Sequence, residues 1–326
     1  MSEALALPRR LDAILAAAGI SDGVATINGA PADGAQLVYP GEEVKVDGAT
    51  IERKERRSRV HAYHKVAGEK IEDIRPAGCE GLSHVGQLDK KTTGLLLFTD
   101  DSELSRLILC PGLLPKTYVV EIDAPRVSNG LTAEQLAALT EKRPLPQNAT
   151  ERRKGRNERG TPVGFESVVS KGSKPIGDAT RPSGCAPKSR FAYEVVVQSG
   201  ANHVVKRLFD RAGQAVRTLH RSAVGPVRCD VAAGEARALT ADQVSALWTA
   251  VGGNGARAAL RRASLLCCAR STNDERLRAF FGPELDGTRC YAAFPGLSCA
   301  HDDAAEPTPR PPKRARLTAG EARTTD

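Results

Sequence analysis

Gly86-Gln87-Leu88-Asp89-Lys90-Lys91-Thr92-Thr93-Gly94-Leu95-Leu96-Leu97-Phe98-Thr99-Asp100-Asp101 is the stretch on which the reading of this chain turns. A glycine turn leads to a single acid beside an apolar residue. A polar turn follows, then the unbroken apolar run Leu95 to Phe98, which suits a strand buried on both faces. Asp89 is therefore expected to be held rigidly at the edge of a core. Read locally, such a carboxylate either satisfies turn amides or serves as a placed reactive group, and position alone does not choose between the two.

Around this stretch the chain has 326 residues, enough for two domains with tails. Lysine and arginine number 47 against 39 acidic residues, a formal charge of +8 that favours a polyanionic partner. No apolar segment approaches the about 20 residues a membrane helix needs, so a membrane-spanning protein is not expected. The start, MSEALALPRRLD, lacks the apolar core of a secretory signal, and neither secretion nor a long transit peptide is expected. The eight cysteines are expected to be reduced thiols, none paired at C-x-x-C spacing. The six histidines are not grouped with them at ligand spacing, so no metal site is expected. Adjacent Cys267 and Cys268 point in divergent directions on a helix or strand and read as small apolar residues.

Residues 1–48 read as a small module. Leu11, Ile14, Leu15 and Ala18 recur at helical spacing before Gly19, Val24 to Ile27 runs into the hairpin turn Asn28-Gly29, and Glu43 to Gly48 alternates as a strand. Residues 49–59, with Arg53, Lys54, Arg56, Arg57 and Arg59 against Glu52 and Glu55, read as a basic linker. Residues 60–248 mix strand-like and helix-like segments without regular alternation, which predicts an α+β domain. Strands are expected at Thr117 to Ile122 and Ala192 to Val197, and helices at Glu103 to Cys110, Ala133 to Leu139, His203 to Ala212 and Ala241 to Trp248. The basic, Gly-, Ser- and Pro-containing segment 151–190 reads as a mobile insertion. Residues 249–326 lose the pattern, and a disordered end is expected.

Several segments resemble, in order, the motifs of the bacterial-type ribosomal RNA pseudouridine synthases. Gly86 to Asp101 is similar to G-R-L-D, polar residues, T-x-G-L, an apolar run and T-[ND]-D. Lys116-Thr117-Tyr118 matches K-T-Y, and Asn202-His203-Val204-Val205-Lys206-Arg207-Leu208-Phe209 resembles H-Q-[VI]-[KR]-R-M-F. Leu219 to Val227 resembles L-x-R-x-x-[IV]-G, and Ala238 to Val244 the closing R-x-L-T-x-x-E-[IV]. Arg10 to Leu15 and Thr26 to Gly29 resemble R-L-D-x-x-L and V-x-V-N-G of an S4 RNA-binding module, here shortened by the helix that normally lies between them.

The resemblance implies a pseudouridine synthase-type α+β domain with a mixed, largely antiparallel central sheet, preceded by the degenerate S4-like module. It implies isomerisation of uridine to pseudouridine in RNA, most naturally ribosomal RNA, by a monomer without cofactor or metal. The catalytic residues it implies are Asp89 as the essential carboxylate, Lys206 as its basic partner, and Tyr118, which would stack on the flipped uracil and help move the C5 proton. Gln87, Lys90, Lys116, Asn202, His203, Arg207 and Arg221 are the expected RNA contacts. Three positions depart from the pattern: Gln87 replaces an arginine, Val204 a glutamine and Leu208 a methionine. These departures motivate the competing reading, a non-catalytic RNA-binding or ribosome-assembly protein that keeps the fold. A glycosidase would need a second, correctly spaced carboxylate, for which there is no signal. The basic cluster Lys313, Arg314 and Arg316 suits nuclear import in a cell with a nucleus, so a cytoplasmic or nuclear location is expected.

Overall fold

The structure is a computed structural model that describes residues 7–52, 58–125, 130–145, 162–175, 188–271, 274–285, 291 and 294. In the N-terminal module β1 (Arg9–Arg10) runs straight into α1 (Leu11–Ala18), which buries Leu11 and Ile14 and ends at Gly19 in the left-handed conformation. Next come β2 (Ala25–Ile27), β3 (Ala30–Pro31), β4 (Leu37–Val38), β5 (Val44–Val46) and β6 (Ala49–Thr50). Asn28 and Gly29 both adopt positive φ, as a two-residue type I′ hairpin requires, and join β2 to β3. Asp47 and Gly48 repeat the device between β5 and β6, and Ile51 packs on the same small core. The module therefore extends to residue 51, and the expected boundary at 48 falls inside it.

The second unit is built on one large sheet. Its strands are β7 (Val60–Lys65), β8 (Ser83–Val85), β9 (Thr93–Thr99), β10 (Lys116–Pro125), β11 (Ser167–Pro175), β12 (Lys188–Val197), β13 (Val216–Val224), β14 (Val227–Arg228) and β15 (Ala236–Ala238). The order is β11-β12-β10-β13-β9-β7-β15, with β14 on β13 and β8 on β9. Every pairing is antiparallel except β13 with β9, so the sheet is mixed and largely antiparallel. The apolar run becomes β9, in the interior of the sheet. Leu96 and Phe98 face one apolar cluster and Leu95 and Leu97 the other, which is why the sequence does not alternate there.

The first cluster is covered by α3 (Ala133–Thr140) and α4 (Val204–Arg211), through Leu139, Val204, Val205, Leu208 and Phe209. The second is covered by α2 (Ser102–Leu109), α5 (Ala241–Ala250) and α6 (Gly253–Ser271). Asp101 caps α2, accepting from the amides of Glu103 and Leu104, and Thr132 and Thr240 open α3 and α5 with capping boxes closed by Gln135 and Gln243.

The structure corrects two expectations. Residues 151–190 are not one loop: Ser167–Pro175 is the edge strand β11, and Lys188 to Arg190 open β12. Composition concealed this, because an edge strand with one exposed face tolerates Lys, Ser and Gly. Residues 151–161 and 176–187 lie outside the described residues. The chain after 248 does not leave the domain either. The 19-residue helix α6 packs on α2, and Val251 and Leu260 sit in the second cluster. A further helix, α7 (Glu275–Phe281), meets the N-terminal module through Arg276 with Glu42 and Phe280 with Tyr39. The end expected to be disordered, with Lys313, Arg314 and Arg316, is outside the described residues, among which no helix is long and apolar enough to cross a membrane.

Gly94 lets β9 and β13 approach closely. Its φ is +102°, and a Cβ there would lie 2.3 Å from the Arg221 carbonyl oxygen and 2.7 Å from its nitrogen. Gly94→Ala is expected to cost about 3 kcal/mol, from the unfavourable φ and the backbone clash together, measured by urea unfolding.

Candidate active site

The turn between β8 and β9 carries Asp89, and α4 brings its partners across the sheet. One carboxylate oxygen, Oδ2, accepts from Lys206 Nζ at 2.6 Å, and Oδ1 lies 2.9 Å from His203 Nε2. Thr92 Oγ1 is 3.5 Å from Oδ2, at the limit of hydrogen-bonding reach. The Asp89 side chain remains 24% exposed, so a substrate atom can reach it. His203 precedes α4 with φ +53°, a left-handed conformation uncommon outside glycine, and this turn sets its imidazole against the Asp89 loop.

The loop is pinned from below by Lys65, at the end of β7. This lysine is fully buried and donates from Nζ to the carbonyls of Val66 at 3.0 Å, Lys90 at 3.2 Å and Thr92 at 3.0 Å. Gly68 N donates to the Lys90 carbonyl and Thr92 N to that of Asp89, so the backbone from the carboxylate onward is tied down. Burial pulls the Lys65 ammonium below its ordinary range, while Glu69 and Asp89 oppose that shift. Sequence reasoning missed Lys65. A lysine in a strand normally reads as a solvent-facing charge, and nothing local marks this one as buried.

Asp89 and Lys206 are brought together as expected. Tyr118 lies on β10 and is only 7% exposed, in the apolar cluster that also holds Leu88, Val204 and Val205. It is a packed ring, not an open stacking platform. Gln87, Lys90 and Asn202 are exposed, and Arg207 is half-buried with its guanidinium on the Asn202 carbonyl. Gln87 and Lys90 line a shallow cleft with Lys70, Ile71, Glu72 and Leu88. Among the departures from the motif, Val204 and Leu208 are buried in the core, where apolar packing replaces the expected amide.

Two expected RNA contacts are corrected, and a third acquires a second role. Lys116 is 5% exposed, with Nζ on the carbonyls of Ile108 at 3.3 Å and Leu114 at 3.5 Å. Arg221 is 4% exposed and donates from Nε to the Leu95 carbonyl at 2.7 Å. Both cations serve the interior of the sheet and present nothing to a nucleic acid. His203 touches the carboxylate itself. Neither His64 nor His220 lies at ligand spacing from Cys229 in the sequence, yet the fold places both beside it.

Lys116 supplies a pH prediction. Burial, reinforced by Arg221, lowers its pKa to about 8, so between about pH 8 and its ordinary value near 10.5 the unfolded chain binds more protons than the folded one. This contribution therefore makes folding stability rise with pH across that window. Lys116→Met is expected to flatten the rise, a difference on the order of 2 kcal/mol between pH 7 and 10 in denaturant titrations.

Residues 53–211 match the family profile described as RNA pseudouridylate synthase. A ribosomal large subunit pseudouridine synthase B from Xanthomonas campestris is 29% identical over 272 residues, covering 75% of this chain and 50% of the relative. A ribosomal small subunit pseudouridine synthase A from Escherichia coli K12 is 29% identical over 169 residues, covering 51% of this chain and 59% of the relative. The chain thus spans about half the length of the curated relatives it matches. A solved structure titled as a pseudouridylate synthase aligns at TM-score 0.41 and 24% identity, over 73% of this chain and 99% of that one. The profile match contains the Asp89 turn and ends with the helix that carries Lys206, and it is over residues 53–211 that the chain is similar to the RNA pseudouridine synthase family.

Proposed function

We propose that the protein isomerises uridine to pseudouridine in RNA, with ribosomal RNA as the substrate class and Asp89 as the essential carboxylate. The observation that carries this reading is the half-exposed Asp89, held from two sides by Lys206 at 2.6 Å and His203 at 2.9 Å on a backbone pinned by buried Lys65. The ribosomal assignment rests on the names of the large- and small-subunit relatives.

In this reaction the N1–C1′ bond breaks, the uracil turns, and C5 joins C1′. The C5 hydrogen leaves as a proton, and N1 ends with a proton in place of its bond to the sugar. An ionised aspartate can act as nucleophile towards the ribose or the pyrimidine, and the two modes share the same placement of Asp89. Lys206 orients the carboxylate through a charge-assisted hydrogen bond, and His203 holds the other oxygen. The resemblance assigns the C5 proton to Tyr118, whose packed ring would have to be uncovered before it could meet the flipped base. A uridine in structured RNA must be extruded to reach Asp89, at a few kcal/mol of unstacking. Phosphate contacts from the basic surface offset that cost. Gln87, Lys90, Asn202 and Arg207 border the opening, exposed Lys171 and Lys174 lie on the edge strand β11, and the N-terminal module acts as an S4-like second contact with the RNA.

The test is tritium release from ribosomal RNA labelled at uridine C5, because forming the new C–C bond must expel that hydrogen. Release that rises with time and enzyme concentration is expected. RNA binding without any release from either ribosomal subunit's RNA would replace this reading with the non-catalytic one, which Gln87 in place of an arginine beside Asp89 favours.

A further inference from the structure

On the face of the sheet away from α4, three residues far apart in sequence converge. His64, on β7, stands opposite Leu95 of β9, and His220, on β13, stands opposite Thr93. Paired strand residues share a face, so both imidazoles project on the side of Leu95 and Leu97 and lean together over the start of β9. Their ring centroids are 5.3 Å apart. Cys229, just beyond β14, completes the group: one ligand-type atom from each of the three lies within 4.8 Å of the others, and all three side chains are half-buried.

The surroundings orient these groups. His64 Nδ1 is 2.9 Å from the Val231 carbonyl oxygen, which can only accept, so Nδ1 carries the proton and the neutral ring has its lone pair on Nε2. His220 Nδ1 is 3.0 Å from Thr93 Oγ1, and that hydroxyl is 3.5 Å from the Leu219 carbonyl oxygen. A chain from Nδ1–H through the hydroxyl to the carbonyl likewise leaves Nε2 of His220 with its lone pair. Burial and the neighbouring His64 hold His220 below the ordinary imidazole range, which favours the neutral ring. Burial raises the Cys229 thiol, whereas a hydrogen bond from the Val231 backbone favours the thiolate. Imidazoles whose second nitrogen is fixed by a carbonyl or hydroxyl are the usual arrangement around a metal ion.

We propose that His64, His220 and Cys229 form a zinc(II) site, binding the ion through two imidazole Nε2 atoms and one thiolate, with a fourth position open to solvent. Two nitrogens and a sulfur match the borderline character of zinc, whose ligand distances of about 2.0–2.3 Å require the three atoms to close to roughly 3.5 Å of one another. From ligand-type atoms within 4.8 Å of one another, binding requires them to draw in by about 1 Å. The bound ion would clamp β7, β13 and the segment after β14 around Thr93, four residues from Asp89 in the chain. It takes no part in the isomerisation, and it stands whether or not the activity proposed above is found.

The test uses the full chain, stripped with a chelator under reducing conditions and titrated with cobalt(II) as a spectroscopic stand-in, then with zinc(II) against a chromophoric competitor. One equivalent of cobalt is expected to give tetrahedral absorption together with a thiolate charge-transfer band. Cys229→Ser is expected to abolish that band. His64→Gln and His220→Gln are each expected to weaken zinc binding by at least about 100-fold, and Thr93→Ala by about 10-fold through the lost orientation of His220. Circular dichroism of the stripped variants separates loss of the site from loss of the fold. Absence of a stoichiometric cobalt spectrum in the wild type overturns the proposal. So does a charge-transfer band that persists in Cys229→Ser, which would assign binding to other cysteines.

Discussion

Asp89→Asn is expected to reduce tritium release from C5-labelled RNA by at least about 10⁴-fold, to the background of the assay, while RNA affinity at fixed salt stays within about twofold. The amide has the volume of the carboxylate and can still accept from Lys206 through its oxygen, so the turn between β8 and β9 keeps its shape. What it loses is the proposed nucleophile. Stability should change little, within about 1 kcal/mol, because Asp89 and Lys206 are 24% and 34% exposed and solvent screens their attraction. Equal release by the variant and the wild type would remove Asp89 from the chemistry even if the family assignment stands. Affinity and stability must be measured alongside, since a variant that binds RNA normally and turns nothing over locates the defect in the reacting group.

The largest effect on stability is expected from Arg257→Ala, at about 4 kcal/mol in urea unfolding. Arg257 lies on α6, is 5% exposed, and pairs with the carboxylate of Asp101, itself 9% exposed. The guanidinium also stacks on Trp248, 3.8 Å from the ring centre, and its Nε approaches Glu103 at 3.3 Å. Asp101 is the cap of α2 and accepts from Ser58 Oγ at 2.6 Å, while Arg261 holds Glu103 with two bonds of 2.7 and 2.8 Å. Truncating Arg257 leaves a buried carboxylate short of its countercharge and removes a cation–π contact, two losses that add in the same direction. A loss below about 1 kcal/mol would mean that α6 is an appendage of the catalytic unit and not part of its core.

These two residues mark different degrees of legibility. Asp89 stands out in the sequence through its place in a short motif that resembles a known family's, a feature carried by neighbouring residues. Arg257 does not, because arginines on a helix read as solvent-facing, and only the packing of α6 on α2 takes this one out of water. The same holds for the segment after 248, whose loss of pattern reflects a helix with buried arginines that breaks the usual apolar stripe. The edge strand β11 was hidden for the complementary reason, its exposed face carrying residues that composition assigns to loops.

Short-range signals in the chain located the Asn28-Gly29 hairpin, the doubly buried strand β9 and helices close to those at 102–109, 133–140, 204–211 and 241–250, and ordered motifs marked Asp89 and Lys206 as candidates. Turn chemistry and hydrophobic period act over a few residues, so they survive in the one-dimensional string. Only the tertiary structure decided which polar side chains lie inside. Lys65, Lys116 and Arg221 turned inward to bind backbone carbonyls, and His203 came to lie on Asp89. His64, His220 and Cys229 met across the sheet. A charge or an imidazole has the same local signature in water as in a core. What separates the two is the set of partners that folding supplies, 27 positions away for Lys65 and 126 for Arg221, and no local pattern records that set.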